Sequence, residues 1–208
     1  VQATDGTLSS TKAIAVTVTS VNDNTPVITS SATASVAENT TAVMTVTATD
    51  ADLPAQTLTY SIVGGADAAK FTINSSTGAL SFATAPDYEA PTDSGANNVY
   101  DVTVQATDGT LSSTKAIAVT VTAVNDNTPV ITSGATANVA ENTTAVMTVT
   151  ATDADQPAQT LSYSIIGGAD AAKFAINAST GALSFLTAPD FETPTDAGGD
   201  NVYDVTVQ

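Results

Sequence analysis

Residues 100–109 read Tyr-Asp-Val-Thr-Val-Gln-Ala-Thr-Asp-Gly, and this stretch decides the fold. Every second residue from Tyr100 to Ala106 is apolar, which is the two-residue period of a β-strand with one buried face. The Asp-Gly pair that follows is a turn signal. The same alternation recurs along the chain, and no segment shows the apolar stripe of a helix. The sequence therefore predicts an all-β protein.

The sequence around this strand occurs twice. Val1–Gly6 returns as Val104–Gly109, a period of 103 residues. Roughly nine positions in ten are identical across the overlap, which marks a true repeat. A period of this length is too long for a solenoid and fits one β-sandwich per repeat. We therefore expect tandem immunoglobulin-like β-sandwich modules of about 103 residues.

Turn residues divide the repeat into seven strands, the number in an immunoglobulin-like sandwich. The predicted strands are 27–38 (A), 42–50 (B), 58–64 (C), 71–74 (D), 79–82 (E), 98–107 (F) and 114–124 (G). The predicted domains are residues 1–25, which hold the terminal strands and linker of a preceding module, residues 26–128, a complete module, and residues 129–208, a module lacking its last strand.

The composition excludes several classes of function. The chain has 21 Asp and Glu residues against 4 Lys and Arg, a net charge of −17, so it repels nucleic acid and anionic lipid. We expect no nucleic-acid partner and no direct membrane insertion. Without Cys or His there is no thiolate metal site and no common catalytic base. Asp87 and Glu89 lack the cleft and stacking aromatics of a glycosidase pair, so we predict no enzyme, no catalytic residue and no organic cofactor.

The acids are concentrated at strand ends and in loops, as Asp-x-Asp and Asp-x-Glu pairs. Asp50 and Asp52 form one such pair, Asp87 and Glu89 another, and this spacing can point two carboxylates to one side of an extended segment. Oxygen ligands without His or Cys favour calcium or magnesium over transition metals. Calcium prefers six to eight oxygens, partly from Asn and backbone carbonyls, which the Asn-Asp-Asn stretches offer. The pattern predicts Ca²⁺.

These motifs, in this order, resemble those of cadherin repeats. The chain has Ala-Glu-Asn at 37–39, Ala-Thr-Asp-Ala-Asp at 48–52 and Tyr-Ser-Ile at 60–62, then Thr-Gly-Ala-Leu at 77–80, Pro-Asp-Tyr-Glu at 86–89, Ala-Thr-Asp-Gly at 106–109 and Val-Asn-Asp-Asn-Thr-Pro at 124–129. The resemblance spans the whole chain and implies cadherin-like sandwiches. The Thr- and Ala-rich, nearly identical repeats look most like those of large bacterial surface adhesins.

By that resemblance, calcium binds between consecutive modules. For the junction within the chain, the implied ligands are Glu38, Asp87, Glu89, Asn125, Asp126, Asn127, Asp153 and Asp155. For the junction before the complete module, they are Asn22, Asp23, Asn24, Asp50, Asp52 and Asp108. The same repeat positions are also occupied by Asp5, Glu141, Asp190 and Glu192.

The chain departs from the family pattern at three positions. The first Asp of Asp-x-Asn-Asp-Asn is replaced by Ser20 and Ala123, which implies the weakening or loss of one ion. The Arg of the Asp-Arg-Glu motif is replaced by Tyr88 and Phe191, which we expect to cover core. The Asn after Asp-x-Asp is replaced by Gln in both copies, a change that costs little at a backbone-carbonyl position.

The resemblance implies a calcium-rigidified, extracellular repeat of an adhesin or surface fibre, acting as a rod-like spacer in cell adhesion or biofilm. Neighbouring modules or copies of the same protein are the expected head-to-tail partners. The alternative is a carbohydrate-binding module or a self-assembling, strand-exchanging one that forms extracellular filaments. Surface carbohydrate needs exposed aromatics, whereas Tyr60, Phe71, Phe82 and Tyr100 occupy strand positions typical of core.

A sharper form of the self-assembly hypothesis follows from the predicted domains. Residues 1–25 of one copy could supply strand G to residues 129–208 of another, because strand addition satisfies an open sheet edge with main-chain hydrogen bonds. The exchange would also bring Asp5 to Asp153 and Asp155.

Overall fold

A computed structural model describes all 208 residues, which divide into two units, Val1–Thr122 and Ala123–Gln208. Both units are built of β-strands, with one short 3₁₀ turn in each, so the predicted all-β fold class is confirmed. No helix of this structure is both long enough and apolar enough to span a bilayer.

The first unit contains eleven strands in chain order. They are β1 (Gln2–Thr4), β2 (Ser9–Thr11), β3 (Val27–Ile28), β4 (Thr33–Ala37), β5 (Ala42–Thr45), β6 (Ala48–Thr49), β7 (Thr59–Gly64), β8 (Phe71–Ile73), β9 (Ala79–Phe82), β10 (Val99–Thr107) and β11 (Ser112–Thr122). A 3₁₀ turn at Ala68–Lys70 leads into β8.

The second unit contains seven shorter strands. They are β12 (Val130–Ile131), β13 (Ala145–Thr148), β14 (Ala151–Thr152), β15 (Ile165–Gly167), β16 (Phe174–Ile176), β17 (Ala182–Phe185) and β18 (Thr206–Val207). Its 3₁₀ turn spans Ala171–Lys173.

The larger sheet of the first unit has the strand order β4-β11-β10-β7. β10 and β11 pair antiparallel over their length, with Tyr100 opposite Val119 and Val102 opposite Ile117. β11 also pairs with β4, in parallel, with Val121 beside Val36. β11 therefore lies inside the sheet and hydrogen-bonds to a strand on each side. The other sheet is β5-β9-β8, and β3 pairs with β6.

The core of the first unit lies between these sheets. Phe71 and Phe82 stack with ring centroids 4.6 Å apart, and Tyr100 packs edge-on against both rings. All three rings are buried. Tyr60 is half-buried and packs on the same cluster. These four aromatics occupy core, as predicted, and form no sugar-stacking row.

In the second unit, the sheet β13-β17-β16 corresponds to β5-β9-β8 of the first unit. The counterpart of the larger sheet consists only of the pair β15-β18. Residues 136–140 align with β4 in the repeat and form no strand here. Phe174 and Phe185 stack as their counterparts do, with centroids 4.6 Å apart. Tyr203, which aligns with buried Tyr100, is only half-buried.

Three predictions at the level of elements were wrong in detail. Predicted strand A is two strands, β3 and β4, because the chain moves from pairing with β6 to pairing with β11. The terminal segment forms a hairpin of β1 and β2, but residues 12–25 form no strand. Phe191 does not cover core, since it is 64% exposed, whereas Tyr88 packs against the core as predicted.

Candidate metal centre

Three carboxylates of the first unit meet at one end of its sandwich. Asp50 and Asp52 directly follow β6, and Asp108 directly follows β10. Their carboxylate oxygens lie within 4.8 Å of one another. The Asp-x-Asp spacing works locally, because the Asp52 N–H donates to Asp50 Oδ1 over 2.9 Å and closes a tight turn. The structure thus brings together three of the predicted ligands from two distant parts of the chain.

The Asn22–Asn24 segment lies against this carboxylate cluster. Asn24 donates its backbone N–H to Asp52 Oδ2 over 3.0 Å and its amide to Asp52 Oδ1 over 2.6 Å. The amide of Asn22 reaches the carboxylates of both Asp108 and Asp52, at 3.0 and 3.1 Å. Asp23 is exposed and beside Asn24. These contacts hold the Asn-Asp-Asn segment against the Asp-x-Asp carboxylates.

Hydrogen bonds hold two of these carboxylates in the charged form. The side-chain amide of Asn24 lowers the pKa of Asp52, and this outweighs the opposing effect of burial. Burial and the charge of Asp52 oppose ionisation of Asp108, but the N–H groups of Leu111 and Thr110 outweigh them and lower its pKa. The cluster is therefore a concentrated negative charge near neutral pH.

A calcium ion fits this cluster on two counts. Asp50 Oδ2 is buried and has no hydrogen-bond partner, an arrangement that costs free energy unless a cation satisfies the oxygen. The candidate ligands around it are the carboxylate oxygens of Asp52 and Asp108, without nitrogen or sulfur ligands, which is the chemistry that calcium prefers. Asp50, Asp52 and Asp108 are the residues of this unit that would hold the ion.

A second acidic group lies on the loop that carries Asp87 and Glu89. Glu38 is only 2% exposed and accepts the N–H of Tyr88 at Oε2 over 2.7 Å. Its carboxylate lies within 4.8 Å of that of Glu89. Asp87 is exposed and accepts the N–H groups of Glu89 and Ala90, which shapes the loop. Glu38 and Glu89 thus lie together, and the hydrogen bonds of Asp87 hold the segment that carries Glu89.

The family follows from comparison of this chain with known proteins. The cadherin domain model matches residues 32–122 and 135–208. The chain belongs to the cadherin domain family. Cadherin domains are extracellular, calcium-binding adhesion repeats without enzymatic activity, so the predicted cofactor, localisation and absence of catalysis are confirmed at that level.

The cadherin relatives are much longer than this chain. Human protocadherin Fat 1 is 36% identical over 199 residues, which cover 89% of this chain but 4% of the relative. The solved domains 3–6 of protocadherin gamma B2 share 28% identity, with a TM-score of 0.60 over 88% of this chain and 48% of that one. Domains 1–2 of human protocadherin-24 share the fold, with a TM-score of 0.65 at 20% identity, over 90% of this chain and 94% of that one.

The second cadherin unit repeats half of the first unit's cluster. Asn127 donates its backbone N–H and its amide to Asp155 Oδ1 over 3.1 and 2.8 Å, and the Asp155 N–H donates to Asp153. The amide of Asn127 lowers the pKa of Asp155 against the effect of burial. Asn125 and Asp126 lie on the same segment, and Asn125 bonds Gln159. The Asn-Asp-Asn and Asp-x-Asp motifs therefore meet in this unit too.

Three further acids of the second unit lie together but exposed. The carboxylates of Glu141, Asp190 and Glu192 lie within 4.8 Å of one another. A hydrogen bond from its own backbone lowers the pKa of Glu192, but the negative charge of Glu141 and its contacts with Asp190 raise the pKa above its usual value. Mutual repulsion of this kind is relieved when a divalent cation binds.

Asp5 is a predicted ligand that belongs to none of the carboxylate groups of this structure. It is exposed in the β1-β2 turn, where its carboxylate accepts the N–H groups of Thr7 and Leu8. The Leu8 N–H is the main cause of its lowered pKa. Asp5 therefore has the local geometry of its repeat partner, Asp108, without the neighbouring carboxylates.

Two glutamine side chains contact the Asn-Asp-Asn segments, a role that the sequence alone did not predict. Gln56 and Gln159 were expected to matter through their backbone, yet their side chains contact the Asn-Asp-Asn segments. Gln159 Oε1 accepts the amide N–H of Asn125 over 2.6 Å. Gln56 Nε2 lies 3.3 Å from the Asn22 side-chain oxygen when the Asn22 amide donates to Asp108 and Asp52. The signal was present in the sequence, because each Gln follows its Asp-x-Asp motif at the same distance in both repeats. These glutamines position the Asn-Asp-Asn segments.

Proposed function

We propose that this chain is a calcium-rigidified spacer within a large cell-surface adhesin of the bacterial type, holding an adhesive region away from the surface or building a matrix fibre in a biofilm. The observation that carries the proposal is the cluster of Asp50, Asp52 and Asp108, with its buried, unpartnered carboxylate oxygen. The nearly identical repeats support a spacer, because a spacer needs the same module many times over.

The proposed ligands extend beyond this cluster and follow the family pattern. One complete module spans residues 26–128 in this proposal, with the parts at 1–25 and 129–208 belonging to its neighbours. Where one module follows another, Glu38, Asp87 and Glu89 would face the linker residues Asn125, Asp126 and Asn127, together with Asp153 and Asp155. The support comes from the sequence order and from the pairing of these acids within each unit.

The residues explain why an ion is needed at such a linker. Carboxylates a few ångströms apart repel one another, and a linker that carries them is driven open in the absence of cations. Bound calcium supplies the positive charge that neutralises them. The Asn amides and Asp turns hold the carboxylates in place beforehand, so little ordering remains to be done on binding. The sites would be filled outside the cell, where such modules bind at about 0.1–1 mM.

A thermal melt of metal-stripped protein tests the proposal. Calcium should raise the melting temperature steeply, and magnesium little, since magnesium demands a stricter octahedral geometry. A site that is saturated 100-fold above its Kd adds about 2.7 kcal/mol to the free energy of unfolding. Isothermal titration calorimetry of the folded protein would give the number of ions and their affinity.

Matched variants separate specific binding from bulk charge. Asp50→Asn with Asp52→Asn should remove most of the calcium-dependent rise of the first unit. Asp101→Asn changes an exposed acid outside the acidic clusters, and should leave the calcium-dependent rise intact. A melting temperature that ignores calcium in the wild type, or equal loss in both kinds of variant, would refute the proposed sites.

A further inference from the structure

We propose that Asn98, in the first unit, is a positioning residue for the calcium site to which Glu38 and Glu89 contribute. The inference rests on the proposed function, because it explains how two like-charged carboxylates are held within 4.8 Å of each other. Carboxylates this close repel one another, so the backbone that carries Glu89 has to be fixed by other bonds. The side chain of Asn98 supplies one of these bonds from outside the acidic segment 86–90.

Asn98 ties three parts of the first unit together. Its backbone N–H donates to Asp93 Oδ1 over 3.0 Å, and its carbonyl oxygen accepts the N–H of Val121 over 2.9 Å. Its side-chain amide donates to the carbonyl oxygen of Tyr88 over 3.0 Å. Val121 belongs to β11, and Tyr88 directly precedes Glu89. Asn98 therefore connects the acidic segment to an inner strand of the larger sheet.

The peptide unit between Tyr88 and Glu89 is held at both of its polar groups. Asn98 binds its carbonyl oxygen, and Asp87 Oδ1 accepts its N–H, that of Glu89, over 3.0 Å. Because a peptide unit is planar, fixing these two groups fixes the direction in which the chain continues at the Cα of Glu89. The N–H of Tyr88 donates to Glu38 Oε2 over 2.7 Å. The backbone of residue 88 thus places the two glutamates relative to each other.

The conformation of Asn98 indicates that its side chain is used. Asn98 has a φ of +62°, a left-handed conformation that glycine adopts at no steric cost. Its Oδ1 is buried without a hydrogen-bond partner, which is unfavourable as well. The hydrogen bond that its amide nitrogen donates to Tyr88 is the contribution that offsets both costs and that a glycine could not make.

The same arrangement recurs in the second unit. Asn201 has a φ of +67°, and its backbone N–H donates to Asp196 Oδ1 over 3.0 Å. Its side-chain amide donates to the carbonyl oxygen of Phe191, the residue before Glu192, over 3.1 Å. The side chain at this repeat position differs, Tyr88 in the first unit and Phe191 in the second, yet the contact is the same because it is made to the backbone.

The test is a calcium titration of the ¹⁵N-labelled 208-residue chain, followed by NMR. The amide of Glu89 reports the paired glutamates, and the amide of Asp52 reports the cluster of Asp50, Asp52 and Asp108 in the same sample. Asn98→Gly removes the side chain and keeps a residue suited to the positive φ. Loss of a group that orients a metal ligand typically weakens metal binding roughly 10- to 100-fold. The calcium Kd reported by Glu89 should therefore rise by about 10-fold or more, while that reported by Asp52 stays unchanged.

Asn97→Gly is the matched control. Asn97 is exposed, and its side-chain oxygen accepts the N–H of Val99 within the same loop, with no hydrogen bond to residues 86–90. The same substitution there should leave both dissociation constants as in the wild type. Melts in chelator check that both variants are folded at the temperature of the titration. Unchanged calcium binding at Glu89 in Asn98→Gly would overturn the proposal, and so would an equal loss in Asn97→Gly.

The second unit supplies an independent variant. Asn201→Gly should weaken the calcium binding reported by the amide of Glu192 by a similar factor and leave that reported by Glu89 unchanged. This result can be obtained even where Asn98→Gly unfolds the first unit, and unchanged binding at Glu192 would then overturn the proposal. A wild type whose Glu89 amide ignores calcium would also overturn it, and would refute the proposed function as well if the Asp52 amide ignores calcium too.

Discussion

The two sandwich units have nearly the same sequence and very different interiors. Tyr100, Val102 and Val104 are at most 1% exposed, while their counterparts Tyr203, Val205 and Val207 are all half-buried. β10 has nine residues, and its counterpart β18 has two. The sheets that contain no counterpart of β11, β5-β9-β8 and β13-β17-β16, are alike in both units.

The difference teaches what one strand contributes. β11 pairs with β10 on one side and with β4 on the other. These backbone hydrogen bonds extend β10 and allow residues 33–37 to form the strand β4. In the second unit, where this strand is lacking, both neighbours lose the backbone partners that would define them. In the first unit, β5-β9-β8 contains no part of the last strand, whereas the sheet β4-β11-β10-β7 has that strand, β11, inside it.

The largest expected effect comes from a charge placed in that strand. Val119→Asp puts a carboxylate into a fully buried position and should cost more than about 4 kcal/mol, enough to unfold the first unit. Val16→Asp makes the same change at the same repeat position, where the side chain is 82% exposed, and should cost little in the monomer. Circular dichroism melts of the two variants in chelator measure the comparison.

Equal melting of these two variants would show that β11 does not hold the first unit together. A loss confined to Val119→Asp would establish that burial depends on the strand's partners and not on its sequence.

Much of the fold followed from local pattern. The alternation in residues 100–107 predicted β10, and Thr77-Gly78 predicted the turn between β8 and β9, where Gly78 has φ +71° and a Cβ would meet the Val46 carbonyl oxygen. The two-residue spacing of the Asp-x-Asp motif also predicted that Asp50 lies beside Asp52. The meeting of these two with Asp108 was accessible only through the family resemblance, because it depends on which strands share an end.

What the sequence could not supply was context. Lys12–Thr19 and Lys115–Thr122 are the same letters in two environments, and no local pattern distinguishes them. The break between β3 and β4 depends on tertiary pairing, not on propensity. Phe191 is 64% exposed, whereas its counterpart Tyr88 packs against the core, and the local sequence does not distinguish these two environments either.

A medium effect is expected at Glu38, compared with Glu141 at the same position of the second repeat. Glu38 is 2% exposed and accepts the Tyr88 N–H over 2.7 Å, so Glu38→Ala leaves that donor poorly satisfied and should cost about 1–3 kcal/mol. Glu141 accepts the Phe191 N–H over 3.1 Å at an exposed site, where water can replace it. Glu141→Ala should therefore stay within about 0.5 kcal/mol. Urea unfolding in chelator would compare the two, and equal costs would refute the role of burial.

The smallest effect concerns acid. Burial tends to raise the pKa of Asp93, but the N–H groups of Asn97, Asn98 and Gly95 outweigh it and lower the pKa. A lowered folded-state pKa gives stability that is present above the unfolded pKa of about 3.9 and is lost as the pH falls further. Melts between pH 6 and pH 2.5 should show that Asp93→Asn is destabilised at pH 6 and converges on the wild type in acid.

The matched residue Asp196 sharpens this last comparison. Burial opposes its ionisation too, and the N–H groups of Asp200 and Asn201 again lower its pKa. Because each loop is closed by its own backbone, Asp196→Asn should show the same acid convergence in the second unit. A pH effect in one unit only would mean that the loop depends on the distant strand.

The 103-residue spacing of identical strands has a consequence for how the gene can change. The pairs that close the first sandwich, from β3 to β11, fall within a single period. A recombination event that adds or deletes one whole period therefore gives every remaining strand a partner of the same sequence, at whatever point the exchange occurs. The length of such a protein can therefore change by one whole module at a time. No variant along the way lacks a strand that its neighbours need.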